Sequence, residues 1–248
     1  MVADLAVLDQ SMIDLGHPGG LQVTVVDYDS VSAANIGRAR FYAADVGANK
    51  AQTIVQRVNA CFGIQFRAIS GEVTAETGES NLFDEADIVI GCVDTRESRR
   101  LILSALTKAR AKRYGRRQST YWLDLGNGSD DGQIVLGEVG EPQGLRLPCV
   151  TDLFPEMLDP AHDPKDAGPS CSRAEALTRQ SAFVNKAASM HAVTLLSVLF
   201  RQGQLEHTGV FFNLLTQRTS VLPCTTQAWG RFGYVAGAST SKVDDGEE

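Results

Sequence analysis

The residues best suited to chemistry lie in one stretch, residues 25–50, where acids, amides and cations follow each other closely. Asp27 ends a short β-branched run, at the place where nucleotide-binding sheets commonly hold a ribose hydroxyl. Asn35, Arg38 and Lys50 add an amide, a guanidinium and an ammonium, which together can donate hydrogen bonds to a polyphosphate. Taken alone, Asp27 could equally be an acid that begins a turn.

A second polar group follows a buried apolar run, residues 87–93. Asp94 stands at the predicted carboxyl end of this strand, where ligands of such sheets usually bind. A carboxylate at this place suits Mg²⁺, which prefers one or two carboxylates together with phosphate oxygens. The alternative is that Asp94 caps the helix that begins directly after it.

An alternation of helices and strands must position these residues. The spacing of apolar residues predicts helices over 1–15, 47–59, 96–114 and 172–202. It predicts strands over 21–27, 64–69, 87–93, 120–125 and 133–139. A strand or hairpin is predicted over 210–222. This order predicts an α/β fold, Rossmann-like and doubly wound, with a mostly parallel sheet and helices on both faces. We expect one domain over 1–238, with a long crossover loop over 140–171 and an acidic tail over 239–248.

Composition argues against several classes of protein. The chain has 30 acids against 23 bases and a net charge of −7, so nucleic-acid binding is not expected. Its longest apolar run, 192–200, is far shorter than the roughly 20 residues that cross a bilayer. The N-terminus has no signal-peptide pattern, so we expect a cytoplasmic protein without membrane contact. The five cysteines include no C-x-x-C pair, so we expect neither a disulfide framework nor zinc.

One feature of nucleotide-binding sheets is missing from the sequence. Such domains normally begin with a strand, a glycine-rich loop and a helix whose N–H groups bind phosphate. This chain begins with the helix, and no G-x-G-x-x-G occurs in it. We therefore expect the first strand and its glycine loop to be encoded upstream of Met1. A stop codon directly upstream would favour a protein that does not bind ATP.

Three motifs together resemble the ThiF/MoeB/HesA group of E1-like adenylyltransferases. They are D-x-D-x-V-x-x-x-N-I-x-R over 27–38, V-G-x-x-K over 46–50 and C-V-D over 92–94. The resemblance continues through the D-L-G of 124–126 and the P-S-C-S of 169–172. The C-terminal half looks most like the ThiF-type member of the bacterial PRTRC gene system.

The resemblance implies an enzyme that uses ATP to activate the C-terminal carboxylate of a small ubiquitin-like or sulfur-carrier protein. It also implies a homodimer. The implied site residues are Asp27 for the ribose with Asp29 beside it, Asn35, Arg38 and Lys50 for the ATP phosphates, and Asp94 for Mg²⁺.

Cys171 lies in a P-S-C-S context that resembles the cysteine with which E1 enzymes attack the acyl-adenylate. The alternative is a packing residue at the start of a helix. Two other functions remain open for the chain as a whole. One is a truncated ThiF-fold scaffold that binds a partner without catalysis. The other is an NAD-dependent oxidoreductase, which would explain Asp27 but gives no role to Asn35, Arg38, Lys50 and Asp94 together.

Overall fold

The fold is taken from a computed structural model, which describes residues 1–36, 39–74, 82–112, 120–140, 146–163 and 180–236. Two of the candidate site residues, Arg38 and Cys171, lie outside these ranges. None of the helices within the described ranges is long and apolar enough to cross a membrane.

Helices and strands alternate through the first half of the chain, as the apolar spacing predicts. The helices are α1 (Val2–Asp14), α2 (Lys50–Phe62), α3 (Arg96–Lys112), α4 (Val150–Leu153), α5 (Val184–Gln202) and α6 (Thr226–Gly230). The strands are β1 (Thr24–Val26), β2 (Arg67–Ile69), β3 (Ile88–Gly91), β4 (Thr120–Asn127), β5 (Asp131–Val139), β6 (His207–Asn213) and β7 (Arg218–Pro223).

The described strands form two sheets. Strands β1 and β2 make a parallel pair, and a five-stranded sheet has the order β3-β4-β5-β6-β7. Strands β3 and β4 are parallel, whereas the other three pairs of the larger sheet are antiparallel. The α/β fold is therefore as expected, but the second half of the sheet is not parallel. Residues 128–130 and 214–217 are tight connections, and a parallel pair needs a crossover of a dozen residues or more.

Helices cover both faces of the larger sheet, as the sequence predicts. Successive side chains of a strand point to opposite faces, and neighbouring residues of β4 show this clearly. Leu123 packs in a core with α1, α2 and α5. Trp122 packs in a second core with α3 and α6. The sheet therefore separates two apolar cores, and β4 contributes to both.

Helix α1 follows its apolar pattern closely. Leu5, Leu8 and Met12 stand at helical spacing in the sequence, and all three are buried. Leu15 belongs to the same pattern but lies beyond the last helical residue and is 64% exposed. The apolar stripe thus predicts the helix and its buried face, and only its last residue is wrong.

The predicted helix over 172–202 is shorter where the structure describes it. Helix α5 begins at Val184, and the chain just before it forms a turn in which Ser181 N–H donates to Ser129 O at 2.8 Å. Residues 172–179 lie outside the described ranges. The predicted strand or hairpin over 210–222 is a hairpin of β6 and β7.

Candidate functional site

Asp27 is held in a fixed turn directly after β1. Its N–H donates to Ile69 O of the neighbouring strand at 3.2 Å, which extends the β1–β2 pairing by one bond. Its carboxylate accepts the N–H of Asp29 at 2.9 Å. One of its oxygens therefore shapes the turn, and the strand end places the carboxylate at the edge of the sheet where ligands of α/β folds bind.

Lys50 is brought to the same turn by helix α2. It is the first residue of the helix, and its Nζ lies 2.6 Å from the Asp29 carboxylate. Asn49 fixes this arrangement, because its side-chain oxygen accepts Gln52 N–H while its NH₂ donates to the backbone oxygens of Asp27 and Asp29. The asparagine that caps the helix therefore also ties it to the β1 turn.

Asn49 was missed as a site residue by the sequence analysis. An Asn directly before a helix is a common N-cap, and that signal was available. Its contacts with the turn 22 residues earlier were not, because they depend on where α2 lies relative to β1.

Asn35 uses its side-chain oxygen within its own loop. The oxygen accepts the N–H of Ser32 at 2.9 Å and lies 3.2 Å from the Ser32 hydroxyl, which closes a short 3₁₀ turn. The NH₂ group is then the part of this side chain suited to donate to a phosphate. Arg38, three residues on, lies outside the described residues.

Asp94 is exposed, three residues after the end of β3. The helix-cap alternative for Asp94 is wrong, because the neighbouring Thr95 takes that role. The Thr95 hydroxyl accepts Ser98 N–H at 3.1 Å and lies 2.7 Å from the Ser98 hydroxyl. The Asp94 carboxylate is therefore not committed to capping α3.

A second carboxylate reaches the start of α3 from the crossover segment. Asp163 accepts Arg96 N–H at 2.8 Å and Glu97 N–H at 3.3 Å. Its Oδ1 also lies 4.0 Å from the Arg96 guanidinium. No local sequence pattern predicts this contact, since 67 residues separate Asp163 from Arg96. It attaches the end of the described crossover to the first residues of α3, which begins two residues after Asp94.

The ends of β1 and β3 share one electrostatic environment. Burial raises the pKa of the Asp27 carboxyl above its ordinary value, while the Asp29 N–H and the Lys50 ammonium oppose the rise. The negative charges of Asp29 and Asp94 also raise this pKa. The charge of Asp94 therefore acts on Asp27, although the two residues follow strands of different sheets.

The donor set suits nucleotide-bound Mg²⁺ better than a cage made by the protein alone. Among the described residues, no group of three or more His, Cys, Asp or Glu side chains is arranged to hold a metal ion. Mg²⁺ in phosphate sites usually takes only one or two carboxylates from the protein. Among the candidate residues, Asp94 has one exposed carboxylate, and Lys50 has an ammonium at the start of α2.

A shallow cavity of about 620 Å³ lies on the larger sheet, away from Asp27. It is lined by the ends of β5, β6 and β7 and their connections, residues 131–133, 211–213 and 217–220. Because β4 is parallel to β3 and the next strands alternate in direction, these ends lie on the same edge as the carboxyl end of β3. The cavity and Asp94 therefore share one edge of the sheet.

Comparison with known proteins gives a family match and a set of similar folds. The ThiF family model matches residues 13–228. No curated protein sequence matches the chain. Among solved structures, PaaA has a TM-score of 0.59 at 13% identity, over 90% of this chain and 69% of PaaA.

MccB from E. coli, solved with ATP, has a TM-score of 0.53 at 14% identity, over 90% of this chain and 61% of MccB. MccB solved with AMPCPP and MccA gives the same values. The chain thus spans about three fifths of the length of MccB.

At 13–14% identity these likenesses show the fold, and they confirm the Rossmann-like α/β expectation. The family match supports a stronger conclusion than the fold likeness, because it extends over well more than half of the chain. It includes the β1 turn, the start of α2 and the end of β3, where the candidate site residues lie. Sequence motifs, fold and family model thus agree, and the chain belongs to the ThiF family.

Proposed function

We propose that this protein is an E1-like adenylyltransferase, which activates the C-terminal carboxylate of a small ubiquitin-like or sulfur-carrier protein with ATP. The observation that supports this most is that the start of α2 reaches the β1 turn, where the Lys50 ammonium lies 2.6 Å from Asp29 and the charge of Asp94 acts on Asp27. Asp27, Lys50 and Asp94 supply an acid suited to a ribose hydroxyl, a cation suited to phosphates and an exposed carboxylate. The solved complexes of MccB contain ATP, or AMPCPP with MccA.

Each candidate residue has a role in this proposal. Asp27 binds the ribose with Asp29 beside it, Asn35, Arg38 and Lys50 bind the phosphates, and Asp94 binds Mg²⁺. The Lys50 ammonium lies 2.6 Å from the Asp29 carboxylate, and Asp29 is 47% exposed. A phosphate oxygen would compete with the Asp29 carboxylate for this ammonium.

The reaction is an attack by a carboxylate oxygen of the partner on the α-phosphorus of ATP. The bond between the α-phosphorus and the bridging oxygen breaks, and pyrophosphate leaves with the electron pair. Mg²⁺ supplies neutralisation of the phosphate charge. The chain's own contribution is orientation of the two reactants and stabilisation of charge by fixed donors.

ATP–pyrophosphate exchange in the presence of a small protein with a free C-terminus tests this function. The Asp94→Ala variant should abolish exchange, whereas Asp14→Ala, at an exposed acid in the last turn of α1, should leave it unchanged. Full exchange in Asp94→Ala would overturn the Mg²⁺ assignment. A protein that binds no ATP would favour the scaffold alternative.

We further propose that Cys171 receives the acyl group from the adenylate as a thioester. Its thiolate would attack the acyl carbon, AMP would leave, and the thiol proton would pass to solvent. With ATP and the partner, a covalent adduct should then form that survives denaturation and is released by added thiols.

The matched variants are Cys171→Ser and Cys61→Ser, the latter at an exposed cysteine of α2. Only Cys171→Ser should lose the adduct or convert it to a thiol-resistant ester, while pyrophosphate exchange persists. A wild-type protein that forms adenylate but no thiol-labile adduct would reduce Cys171 to a packing residue. We also propose the homodimer implied by the family resemblance, which light scattering in solution would test.

A further inference from the structure

A buried ion pair lies behind the candidate Mg²⁺ site. Asp124 of β4 is completely buried, and the side chain of Arg99 is 7% exposed. The Nε of Arg99 donates to the two carboxylate oxygens of Asp124 at 3.1 and 3.2 Å. Its Nη2 lies 3.4 Å from the backbone oxygen of Leu125. The guanidinium thus joins helix α3 to the middle of the sheet.

The pair connects the two segments on either side of Asp94. Asp124 is the register partner of Gly91, the last residue of β3 and three residues before Asp94. Arg99 lies in the first turn of α3, five residues after Asp94. One ion pair therefore fixes both the strand that ends before Asp94 and the helix that begins after it.

The packing around Gly91 leaves no room for a larger side chain at the end of β3. A Cβ on Gly91 would lie 2.8 Å from the indole Nε1 of Trp122 and 3.3 Å from the carboxylate of Asp124. The buried Nε1 of Trp122 has no hydrogen-bond partner within the described part of the chain. The end of β3 is therefore pressed against polar groups rather than against a purely apolar surface.

Stability alone does not explain a polar arrangement of this kind. Replacing a buried ion pair by well-packed apolar residues is often neutral or stabilising, since two charges no longer have to leave water. Buried ion pairs can instead fix one geometry among several, and the geometry fixed in this protein is that of the segment carrying Asp94.

We propose that Arg99 and Asp124 are positioning residues, which hold residues 91–95 so that the Asp94 carboxylate meets nucleotide-bound Mg²⁺ in one orientation. The role in catalysis rests on the proposed adenylation, whereas the ordering of residues 91–95 does not. Neither residue touches the reactants in this proposal, and both act through the backbone that carries Asp94.

Two variants test the proposal. Asp124→Asn keeps the size of the side chain but removes its charge. Arg99→Met with Asp124→Leu replaces the pair by apolar groups, which should keep the protein folded. In both variants, hydrogen–deuterium exchange at the amides of residues 91–98 should become about tenfold faster, as expected for a local opening. The kcat of pyrophosphate exchange should fall roughly 10–10²-fold, the effect of a small misplacement of reacting groups, while KM for ATP stays nearly constant.

The control removes another ion pair, Arg146–Asp152, which is partly buried near the C-terminal end of β5. The Nη1 of Arg146 lies 2.8 Å from the Oδ2 of Asp152. Arg146→Met with Asp152→Leu should leave the amides of residues 91–98 unchanged. The proposal is overturned if the apolar Arg99/Asp124 double variant shows the same amide exchange at residues 91–98 and the same kcat as the wild type. If the wild type catalyses no pyrophosphate exchange, the proposed adenylation function is wrong. Hydrogen–deuterium exchange then still decides whether the Arg99–Asp124 pair orders residues 91–95.

Discussion

Lys50 combines a backbone fixed by hydrogen bonds with a partly exposed ion pair. Its ammonium contacts one carboxylate, and that partner, Asp29, is itself 47% exposed. Exposed ion pairs are weak because water screens them, so Asp29 is a partner that a phosphate can replace. The backbone around both residues is meanwhile fixed by Asn49. The backbone that carries the cation is therefore fixed, whereas its ion pair is weak enough for a competing anion to displace Asp29.

Lys50→Ala should lower the kcat of pyrophosphate exchange roughly 10²–10³-fold, the range for loss of one preorganised donor to a developing charge. The matched control is Lys186→Ala, at an exposed lysine of α5, which should exchange at the wild-type rate. Equal rates in the two variants would remove Lys50 from the phosphate site.

Asp124 should make stability depend on pH. Burial raises the pKa of its carboxyl from 3.8 to about 6, although Arg99 opposes the rise. The folded protein therefore binds more protons at this position than the unfolded chain between pH 4 and 6, roughly. As the pH rises through that window, the contribution of Asp124 to the free energy of unfolding should decrease, by about 1–3 kcal/mol.

Urea unfolding of the wild type and of Asp124→Asn, measured from pH 4 to pH 7, isolates this effect from the other carboxyl groups. The wild-type free energy of unfolding minus that of the variant should fall between about pH 4 and 6. A difference that is constant or rises with pH would contradict the raised pKa.

The sequence indicates candidate site residues more readily than the contacts that support them. Asp27, Lys50 and Asp94 are candidates because their residue types and their places at the ends of predicted elements are local features, and their roles stay predictions. Thr95 and Asp163 support the start of α3, yet the first carries only a weak capping signal and the second acts across 67 residues. Contacts of that range depend on how the elements pack, which local patterns do not contain.

At the scale of elements, the beginning of α3 combines two kinds of anchor. Thr95 caps the helix locally, and Asp163 binds its first N–H groups from the crossover segment. Carboxylates are favourable at this end of a helix because of its unpaired N–H groups and its dipole. The crossover is therefore attached next to Asp94.

Asp163→Ala should lower the free energy of unfolding by about 0.5–2 kcal/mol, as for the loss of other helix caps. It should also make residues 155–163 more accessible to protease, because their attachment to α3 is lost. Limited proteolysis with mass spectrometry measures this. Glu156→Ala, at an exposed acid of the same segment, is the control, and equal cleavage of both variants would contradict the attachment.

Strand direction is where the structure departs from the mostly parallel sheet that the sequence predicted. Near-continuous apolar runs such as residues 120–125 and 133–139 are compatible with either direction. The glycine and two acids of residues 128–131 mark a turn, and a turn this short permits only antiparallel neighbours. The direction of β5 could thus have been read from the length of its connection rather than from its composition.

At the scale of the whole molecule, one apolar core joins two sheets that are not paired with each other. Val25 of β1 and Ile90 of β3 pack in the same core as α1 and α5. Among the described residues, β1 pairs with β2 and β3 pairs with β4, so each has one edge without a strand partner.

The order of strands in the larger sheet has a consequence for folding. Its sheet order repeats its chain order, and tight turns join two of its neighbouring pairs. The β1–β2 pair, in contrast, has three residue pairs, and the segment that connects its two strands contains helix α2. We expect native-state hydrogen exchange to show the β1–α2–β2 region opening at a lower free energy than β4–β7, and equal values would contradict this. A nucleotide bound at the end of β1 would then stabilise the weaker unit, so that ligand binding and the local folding of that unit form one linked equilibrium.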